Sequence, residues 1–319
     1  MASNTIAARP AGTRVERYRQ AERALWAHYG LNPAERWVEL KQPPARLRLL
    51  EAGSGAPVLF VHGTAGPGSW PALVRELRGF RCLILDRPGW GLSSAVGFAG
   101  HEYQALVADM LRGVLDGLGL DRAHVVGGSI GDVWALRLAA RHPARVNRVV
   151  LLGGGPVVPQ VRVPPVIRLI ASPAGALMVR MPANPQRVRS ILRNSGHGAS
   201  LDAGRFPESF IDWRVALERD THSMRNEREM VRAVVRGNNW RPGLTFDDAE
   251  LAAIERPTMC VYGTADPTGT ADLWRRVTEL IPQGKLVVLN GLGHQPWLDD
   301  PGGVAAEVDR FLADGSEAA

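Results

Sequence analysis

A strand-like run passes directly into a helical pattern at residues 121–141, and this junction restricts the fold more than any other stretch. Residues 123–126 form a short run that ends in two β-branched valines, as in a buried strand. From residue 130 onward, apolar residues recur at helical spacing, namely Val133, Leu136, Ala139 and Ala140. Gly127 and Gly131 have no Cβ, so the helix can pass close to the strand and push Ser129 out at the top of the turn.

The turn reads Gly127-Gly128-Ser129-Ile130-Gly131 and matches G-x-S-x-G, a motif that holds a serine on a strained strand-to-helix turn. The first turn of the following helix offers free N–H groups and the positive end of its dipole beside Ser129. Ser129 is therefore predicted to be a nucleophile. The alternative is an ordinary glycine-rich turn in which the serine only caps the helix.

The charge of the chain does not indicate a nucleic-acid partner, although the formal net charge is +6 and the isoelectric point is about 10.0. Basic residues are scattered among acidic ones without a basic run, and all of them except Lys41 and Lys285 are arginine. This pattern indicates a composition bias rather than a binding patch, and we expect no nucleic acid to bind.

No stretch of about 20 apolar residues is present, so no membrane span is expected. The first 19 residues lack the apolar core of a secretory signal, which favours a cytoplasmic location. Cys82 and Cys260 each lie in an apolar run and are expected to be reduced and buried. No His or Cys pair has metal-ligand spacing, so neither a metal nor a cofactor is predicted.

The order of patterns along the chain predicts a mostly parallel sheet with helices on both faces, because apolar runs alternate with amphipathic helices. Residues 1–34 are expected to form a disordered tail (1–12) and one helix. Alternating runs at 36–40 and 46–51 predict a hairpin at a sheet edge. The α/β core is assigned to residues 35–155 and 244–319.

Residues 156–243 interrupt this alternation and are called the cap segment below. No strand-like run is convincing there, and short helices are expected at 166–181, 185–194, 207–218 and 227–235. An insertion after a strand at the ligand-binding edge of a sheet predicts a lid. Three aromatic residues are candidates for contact with substrate, each with packing in the core as the alternative: Trp70, Phe210 and Trp213.

The glycine-rich loop at residues 62–70 follows a predicted strand and allows two interpretations. Nucleotide binding is disfavoured because neither G-x-x-x-x-G-K-[ST] nor G-x-G-x-x-G with a following acid is present. The loop is instead predicted to form part of an oxyanion hole, with the N–H groups of Thr64 and Ile130 as donors above Ser129.

A serine needs a base to take its proton, and the base needs an acid to orient it. Asp266 follows one late strand and His294 follows the next, so both should open on the same edge of the sheet as Ser129. The alternatives are a turn-forming aspartate before proline and a loop histidine on the surface. His197 is assigned to a peripheral segment. Four other aspartates are expected to cap helices: Asp247, Asp248, Asp299 and Asp300.

The motifs HGTAG, DRPGWGLS, GGSIG, YGTADP and GLGHQPWLDDP, in this order, resemble those of the capped α/β-hydrolase superfamily over residues 35–312. The resemblance implies Ser129 as nucleophile, His294 as base, Asp266 as orienting acid, and Thr64 and Ile130 as oxyanion donors. Two positions depart from the pattern. Many relatives have histidine where Gly128 stands, and many have a small residue where Asp132 stands. A carboxylate at position 132 is expected either to stabilise the N-terminus of the helix or to influence the triad and the charge of the substrate that binds.

The function expected from these residues is a cofactor-independent serine hydrolase that cleaves an ester, lactone or thioester of a small hydrophobic substrate through an acyl-enzyme. A carbon-carbon bond hydrolase of a ring-cleavage product is the alternative, although such relatives usually place Trp after the histidine, where this chain has Gln295. Perhydrolase or acyl-transfer chemistry would use the same residues. A non-hydrolytic catalyst or receptor on this fold is the second class, since fold alone does not fix function.

Overall fold

The protein is described by a computed structural model that covers residues 13–98, 100–181 and 183–314. The prediction of a disordered tail at residues 1–12 lies outside this range. The strands are β1 (Ala34–Lys41), β2 (Pro44–Gly53), β3 (Ala56–Val61), β4 (Phe80–Leu85), β5 (Ala123–Gly128), β6 (Val146–Leu152), β7 (Val235–Arg236), β8 (Asn239–Trp240), β9 (Thr258–Gly263) and β10 (Gly284–Leu289).

Eight of these strands form one sheet in the order β1-β2-β4-β3-β5-β6-β9-β10. The pairs β1–β2 and β2–β4 are antiparallel, and the other five pairs are parallel. The predicted edge hairpin is present, with Trp37 opposite Arg48. The prediction of a mostly parallel sheet is confirmed, and the carboxyl ends of β3, β5, β6, β9 and β10 share one edge.

The helices are α1 (Arg14–His28), α2 (Pro71–Glu76), α3 (Tyr103–Gly117), α4 (Ile130–Arg141), α5 (Pro165–Ala171), α6 (Gly175–Met178), α7 (Pro185–Leu192), α8 (Gly198–Asp202), α9 (Glu208–Asp220), α10 (Ser223–Val234), α11 (Asp248–Ala252), α12 (Ala271–Leu280), α13 (Pro296–Asp299) and α14 (Pro301–Ala313). Helix α1 starts at a capping box in which the Thr13 side chain accepts from Glu16 N–H and Glu16 accepts from Thr13 N–H. It buries Tyr18, Leu25 and Trp26 against the body.

The core lies on both faces of the central strands, because every residue of β5 is buried and β3 and β6 end in four buried residues each. A strand covered on both faces reads as a continuous apolar run, and this explains why the run at 58–61 does not alternate. No helix of the described residues is long and apolar enough to cross a membrane. The cytoplasmic location remains a prediction.

The cap segment contains helices α5 to α10, with β7 and β8 forming a short antiparallel pair at its end. The single helix expected at 166–181 is wrong, because the structure has α5 and α6 separated at Ser172-Pro173. Proline cannot donate a backbone hydrogen bond and disfavours helical conformation in the residue before it, which ends α5.

Candidate active site

Ser129 lies between β5 and α4 with a φ of 57°, and it is the one non-glycine residue with positive φ in the part of the chain that the structure describes. A residue other than glycine rarely adopts this backbone conformation, so the turn is strained. The strain is imposed by close packing, since a Cβ on Gly131 would lie 1.9 Å from the carbonyl oxygen of Val61 in β3. Ser129 therefore projects from the carboxyl edge of the sheet, as its sequence predicts.

His294 and Asp266 meet Ser129 at this edge. His294 Nε2 lies 3.0 Å from Ser129 Oγ, and His294 Nδ1 lies 2.7 Å from Asp266 Oδ2. Asp266 follows β9 and His294 follows β10, so neighbouring parallel strands deliver the two side chains. A hydroxyl bonded to an imidazole that is itself bonded to a buried carboxylate can act as nucleophile, base and orienting acid.

The carboxylate of Asp266 is fixed by Thr268 as well as by His294. Oδ1 accepts from Thr268 N–H at 2.8 Å and from Thr268 Oγ1 at 2.7 Å. Burial alone would raise the pKa of Asp266, but the charge of His294 and the hydrogen bonds from His294 and Thr268 outweigh it and lower that pKa below its ordinary value. The ionised form that an imidazolium needs beside it is therefore favoured.

Buried residues beneath the loop that carries Thr64 hold it in place. Burial, together with the charge of Arg87, keeps the pKa of His62 well below its ordinary value, so this imidazole is neutral. His62 Nδ1 then donates to Gly63 O at 2.7 Å, and its Nε2 accepts from Arg87 N–H at 3.2 Å. Because a trans peptide points its C=O and N–H in opposite directions, Thr64 N–H is directed away from His62.

The second predicted oxyanion donor, Ile130, is the first residue of α4, where a backbone N–H has no partner within the helix. Thr64, Ile130, Ser129 and His294 all line one cavity of about 610 Å³. The structure thus brings the five residues predicted for the chemistry to one place. Their catalytic roles remain predictions.

The walls of this cavity are mostly apolar and come largely from the cap segment, with Val163, Ile167, Ile191, Met230, Val231 and Trp240 among them. A narrower cavity of about 100 Å³ adjoins it and is lined by Met178 and Phe210. Two predicted substrate contacts need correction, because neither Trp70 nor Trp213 lines these cavities. Trp213 instead packs over Gly68, where a Cβ would lie 2.3 Å from its ring. Trp70 stacks on Trp297 at 4.5 Å.

Asp132 does not face the cavity. It is fully buried below the turn, where its carboxylate accepts from Leu152 N–H at 3.1 Å and from Gly155 N–H at 3.0 Å. Burial raises the pKa of Asp132 well above its ordinary value, the two N–H groups oppose that rise, and Asp266 adds to it. Asp132 therefore ties the chain after β6 to the serine turn.

Sequence reasoning missed a second histidine–aspartate pair. His197 was expected in a peripheral segment and Asp299 at a helix cap, but both are buried, with His197 Nδ1 2.8 Å from Asp299 Oδ2. The pair joins the cap segment to the loop of His294, whose N–H donates to Ser195 O at 2.9 Å. Nothing in the spacing of two residues 102 positions apart signals this contact.

Comparison with known proteins agrees with the fold. A model of the family described as the alpha/beta hydrolase fold matches residues 56–301. The chain belongs to the α/β-hydrolase family, which includes esterases and carbon-carbon bond hydrolases. In the described residues, no group of three or more His, Cys, Asp or Glu side chains is arranged to hold a metal ion.

Among individual relatives, the chain is 28% identical over 270 residues to the 2-hydroxy-6-oxononadienedioate/2-hydroxy-6-oxononatrienedioate hydrolase of Cupriavidus pinatubonensis, covering 81% of this chain and 88% of that protein. It is 28% identical to the 2-hydroxymuconate semialdehyde hydrolase of a Pseudomonas species, covering 86% and 93%. Among solved structures, carboxylesterase CesB of Bacillus subtilis matches with a TM-score of 0.71 at 19% identity, covering 95% of this chain and 99% of that one.

Proposed function

We propose that this protein is a serine hydrolase that cleaves a carboxylic ester, lactone or thioester of a small, largely apolar substrate. The observation that carries the proposal is the continuous hydrogen-bonded chain from Asp266 through His294 to Ser129, which ends in a mostly apolar cavity. Hydrolase chemistry is common to the family to which the chain belongs.

In the proposed reaction, Ser129 Oγ attacks the carbonyl carbon while His294 Nε2 takes the hydroxyl proton. The N–H groups of Thr64 and Ile130 donate hydrogen bonds that stabilise the negative charge developing on the carbonyl oxygen. His294 then passes its proton to the leaving oxygen or sulfur, and an acyl-enzyme remains on Ser129. Water activated by His294 attacks the acyl group, and the acid leaves.

The lining of the cavity favours an ester over an anionic substrate. Among the described residues that line the cavity, the fully buried charged side chain is that of an acid, Glu227. The two cations of the lining are less buried, since Arg162 is exposed and Arg168 is half-exposed. An unpaired charge is costly to bury, so a substrate that carries a carboxylate into the interior of this cavity would bind weakly. The leaving alkoxide of an ester needs only the proton that His294 holds.

Carbon-carbon bond cleavage is the second candidate, and the names of the relatives favour it. The Cupriavidus and Pseudomonas relatives act on ring-cleavage products, which break at a carbon-carbon bond next to a ketone or aldehyde. This reaction would begin with the same residues, but the leaving carbon must be protonated and the substrate carboxylate must be bound. Arg162 and Arg168 are the cations of the cavity wall that would bind the carboxylate.

The test is labelling with a fluorophosphonate probe, with the adduct mapped by mass spectrometry, on the parent protein and on Ser129→Ala. We expect labelling at Ser129 that is absent in the variant. A panel of 4-nitrophenyl esters, lactones and thioesters is then compared with 2-hydroxy-6-oxo-dienoates, whose cleavage bleaches their visible absorbance. Turnover of dienoates alone would establish the second candidate, and an unlabelled folded protein that turns over nothing would rule out both.

A further inference from the structure

Glu227 is a charged residue on the apolar face of a cap helix. Helix α10 turns Glu227, Met230, Val231 and Val234 toward the cavity, at i, i+3, i+4 and i+7 spacing, so these side chains share one face. The side chain of Glu227 is 1% exposed. It lines both the large cavity and the narrower one beside it.

One carboxylate oxygen of Glu227 is fully used. Oε2 accepts from Trp90 Nε1 at 2.8 Å and from Arg87 Nη2 at 3.2 Å. The Arg87 side chain is 2% exposed, so the positive charge and the hydrogen-bond donors beside Oε2 come from the protein and not from solvent. The two bonds fix the orientation of the carboxylate and direct Oε1 away from Arg87 and Trp90.

The other oxygen, Oε1, is buried and has no hydrogen-bond partner among the described residues. Leaving a buried charged acceptor without a donor is costly, and buried polar atoms of this kind are usually satisfied. Of the described residues that line the large cavity, only Glu227 and Arg168 carry such an atom, and Arg168 is half-exposed. A bound molecule that supplies a donor at Oε1 would remove the cost.

We propose that Glu227 Oε1 forms a polar subsite that binds a neutral hydrogen-bond donor, a hydroxyl or an N–H, carried by an otherwise apolar substrate. The inference rests on the proposed hydrolysis at Ser129 for the identity of that substrate as an ester. A neutral donor is favoured because Arg87 already balances the charge of Glu227. A cation would leave one positive charge in excess in the interior, and an anion would meet the carboxylate directly.

The experiment compares matched esters on the parent protein, Glu227→Gln and Glu22→Gln. The esters carry a phenyl group with a hydroxyl, a methoxy or a hydrogen at the ortho, meta or para position, in one series on the acyl part and in another on the alcohol part. Methoxy accepts but cannot donate. Glu22 is the matched control because it is a buried glutamate paired with a buried arginine, Arg48, and lines neither cavity.

In the parent protein we expect kcat/KM for the hydroxyl ester to exceed that for the methoxy ester by about tenfold at one ring position or more, as a hydrogen bond to a charged group requires. In Glu227→Gln the amide nitrogen replaces the free oxygen and presents a donor, so the ratio should fall at least fivefold. It should be unchanged in Glu22→Gln. Equal ratios in the parent and Glu227→Gln would overturn the proposal.

Two further measurements separate this inference from the proposed function. Glu227→Asp keeps the charge but withdraws the carboxylate by one methylene, so the ratio of kcat/KM between the hydroxyl and methoxy esters should fall in this variant too. This variant tests the subsite if Glu227→Gln does not fold. Calorimetric binding of the hydroxyphenyl and methoxyphenyl compounds to Ser129→Ala does not depend on turnover. If no ester is cleaved, the binding preference for the donor still tests Glu227, and its absence overturns the subsite.

Discussion

Thr268 gives two hydrogen bonds to a single oxygen of Asp266, one from its backbone N–H and one from its hydroxyl, at 2.8 and 2.7 Å. The other oxygen of Asp266 is thereby left to His294, 2.7 Å from Nδ1. The orientation of the imidazole thus depends on a residue that forms no hydrogen bond with the imidazole or with Ser129. Thr268 acts as a positioning residue for the acid.

Thr268→Val removes the hydroxyl donor and keeps both the shape of the side chain and the backbone bond. We expect kcat on the preferred ester to fall about tenfold, because the carboxylate loses one of its fixed orientations, while KM changes less than twofold. Thr268→Ser keeps the hydroxyl and should restore most of kcat. Asp266→Asn sets the scale, with an expected loss of about 10³ to 10⁴ in kcat. A Thr268→Val protein as active as the parent would contradict this role.

A cap residue also reaches the predicted oxyanion loop. Arg214 Nη1 in α9 donates to Thr64 O at 2.6 Å and to Ala65 O at 2.7 Å, while its Nε donates to Glu218 at 2.9 Å. The buried guanidinium therefore links the position of the cap segment to the loop that carries Thr64. A lysine has a single ammonium group and cannot reproduce this planar set of donors.

Arg214→Lys should therefore lower kcat by about five- to twentyfold and slow fluorophosphonate labelling of Ser129 in parallel, with KM changed less than kcat. Arg189→Lys is the control, because Arg189 forms an exposed pair with Glu208 in the same segment and should have no effect. Stopped-flow labelling and steady-state kinetics provide the measurements. A change confined to KM would indicate that Arg214 only shapes the cavity.

Protonation of a buried histidine should reduce stability at low pH. Burial, with help from the charge of Arg148, lowers the pKa of His124 from 6.5 to about 4. Below pH 6.5 the unfolded chain binds a proton that the folded protein does not, so stability is lost as the pH falls from 6.5 toward 4. Between pH 7.5 and pH 5, His124 should account for about 2 kcal/mol of lost unfolding free energy.

The measurement is denaturant unfolding of the parent protein, His124→Leu and the exposed-site control His101→Leu at both pH values. His124→Leu should lose about 2 kcal/mol less than the parent between them. His62 remains in every protein, and its lowered pKa contributes in the same direction, so only the difference between proteins is attributed to His124. A parent and a His124→Leu protein with the same pH dependence would show that this prediction is wrong.

The sequence predicted the elements that place the site because local rules determine them. The residue at position 131 must be glycine because α4 passes close to Val61 there, and this steric requirement is visible in the motif G-x-S-x-G. Asp266 and His294 lie in the loops after the carboxyl ends of two parallel strands, so their meeting at one edge follows from the pattern of strands. These contacts are long-range, yet the topology alone brings the residues together.

The cavity wall could not be predicted in the same way, since it depends on how the cap segment packs. Trp213 and Trp240 are both aromatic residues of that segment, but only Trp240 lines the large cavity. Periodicity does not reveal which face of a short helix meets a partner. Glu227 did leave a signal, because it interrupts the apolar stripe of Met224, Met230, Val231 and Val234, and a charge on such a stripe marks a polar contact.

The glycine at position 128 is explained by the stack of Trp70 on Trp297. A Cβ on Gly128 would lie 2.9 Å from Trp70 Cη2 and 3.0 Å from Trp297 Cη2. The two rings are 4.5 Å apart and inclined by 14°, and Trp297 Nε1 donates to Ser69 O at 2.7 Å, so the stack has little freedom to move. The indoles occupy the space that a side chain at position 128 would need.

Gly128→Ala should therefore lower the unfolding free energy by about 1 to 3 kcal/mol, as overpacking of a buried site does. Trp70→Phe removes part of the ring that the new methyl group meets, so the double variant should be more stable than the sum of the two single changes predicts, by about 1 kcal/mol. Gly302→Ala is the control, because no atom lies within 4 Å of a Cβ there and helix α14 should gain slightly in stability. Denaturant unfolding of the parent, the two single variants and the double variant measures the coupling. Strict additivity of Gly128→Ala with Trp70→Phe would mean that the stack is not what excludes a side chain from position 128.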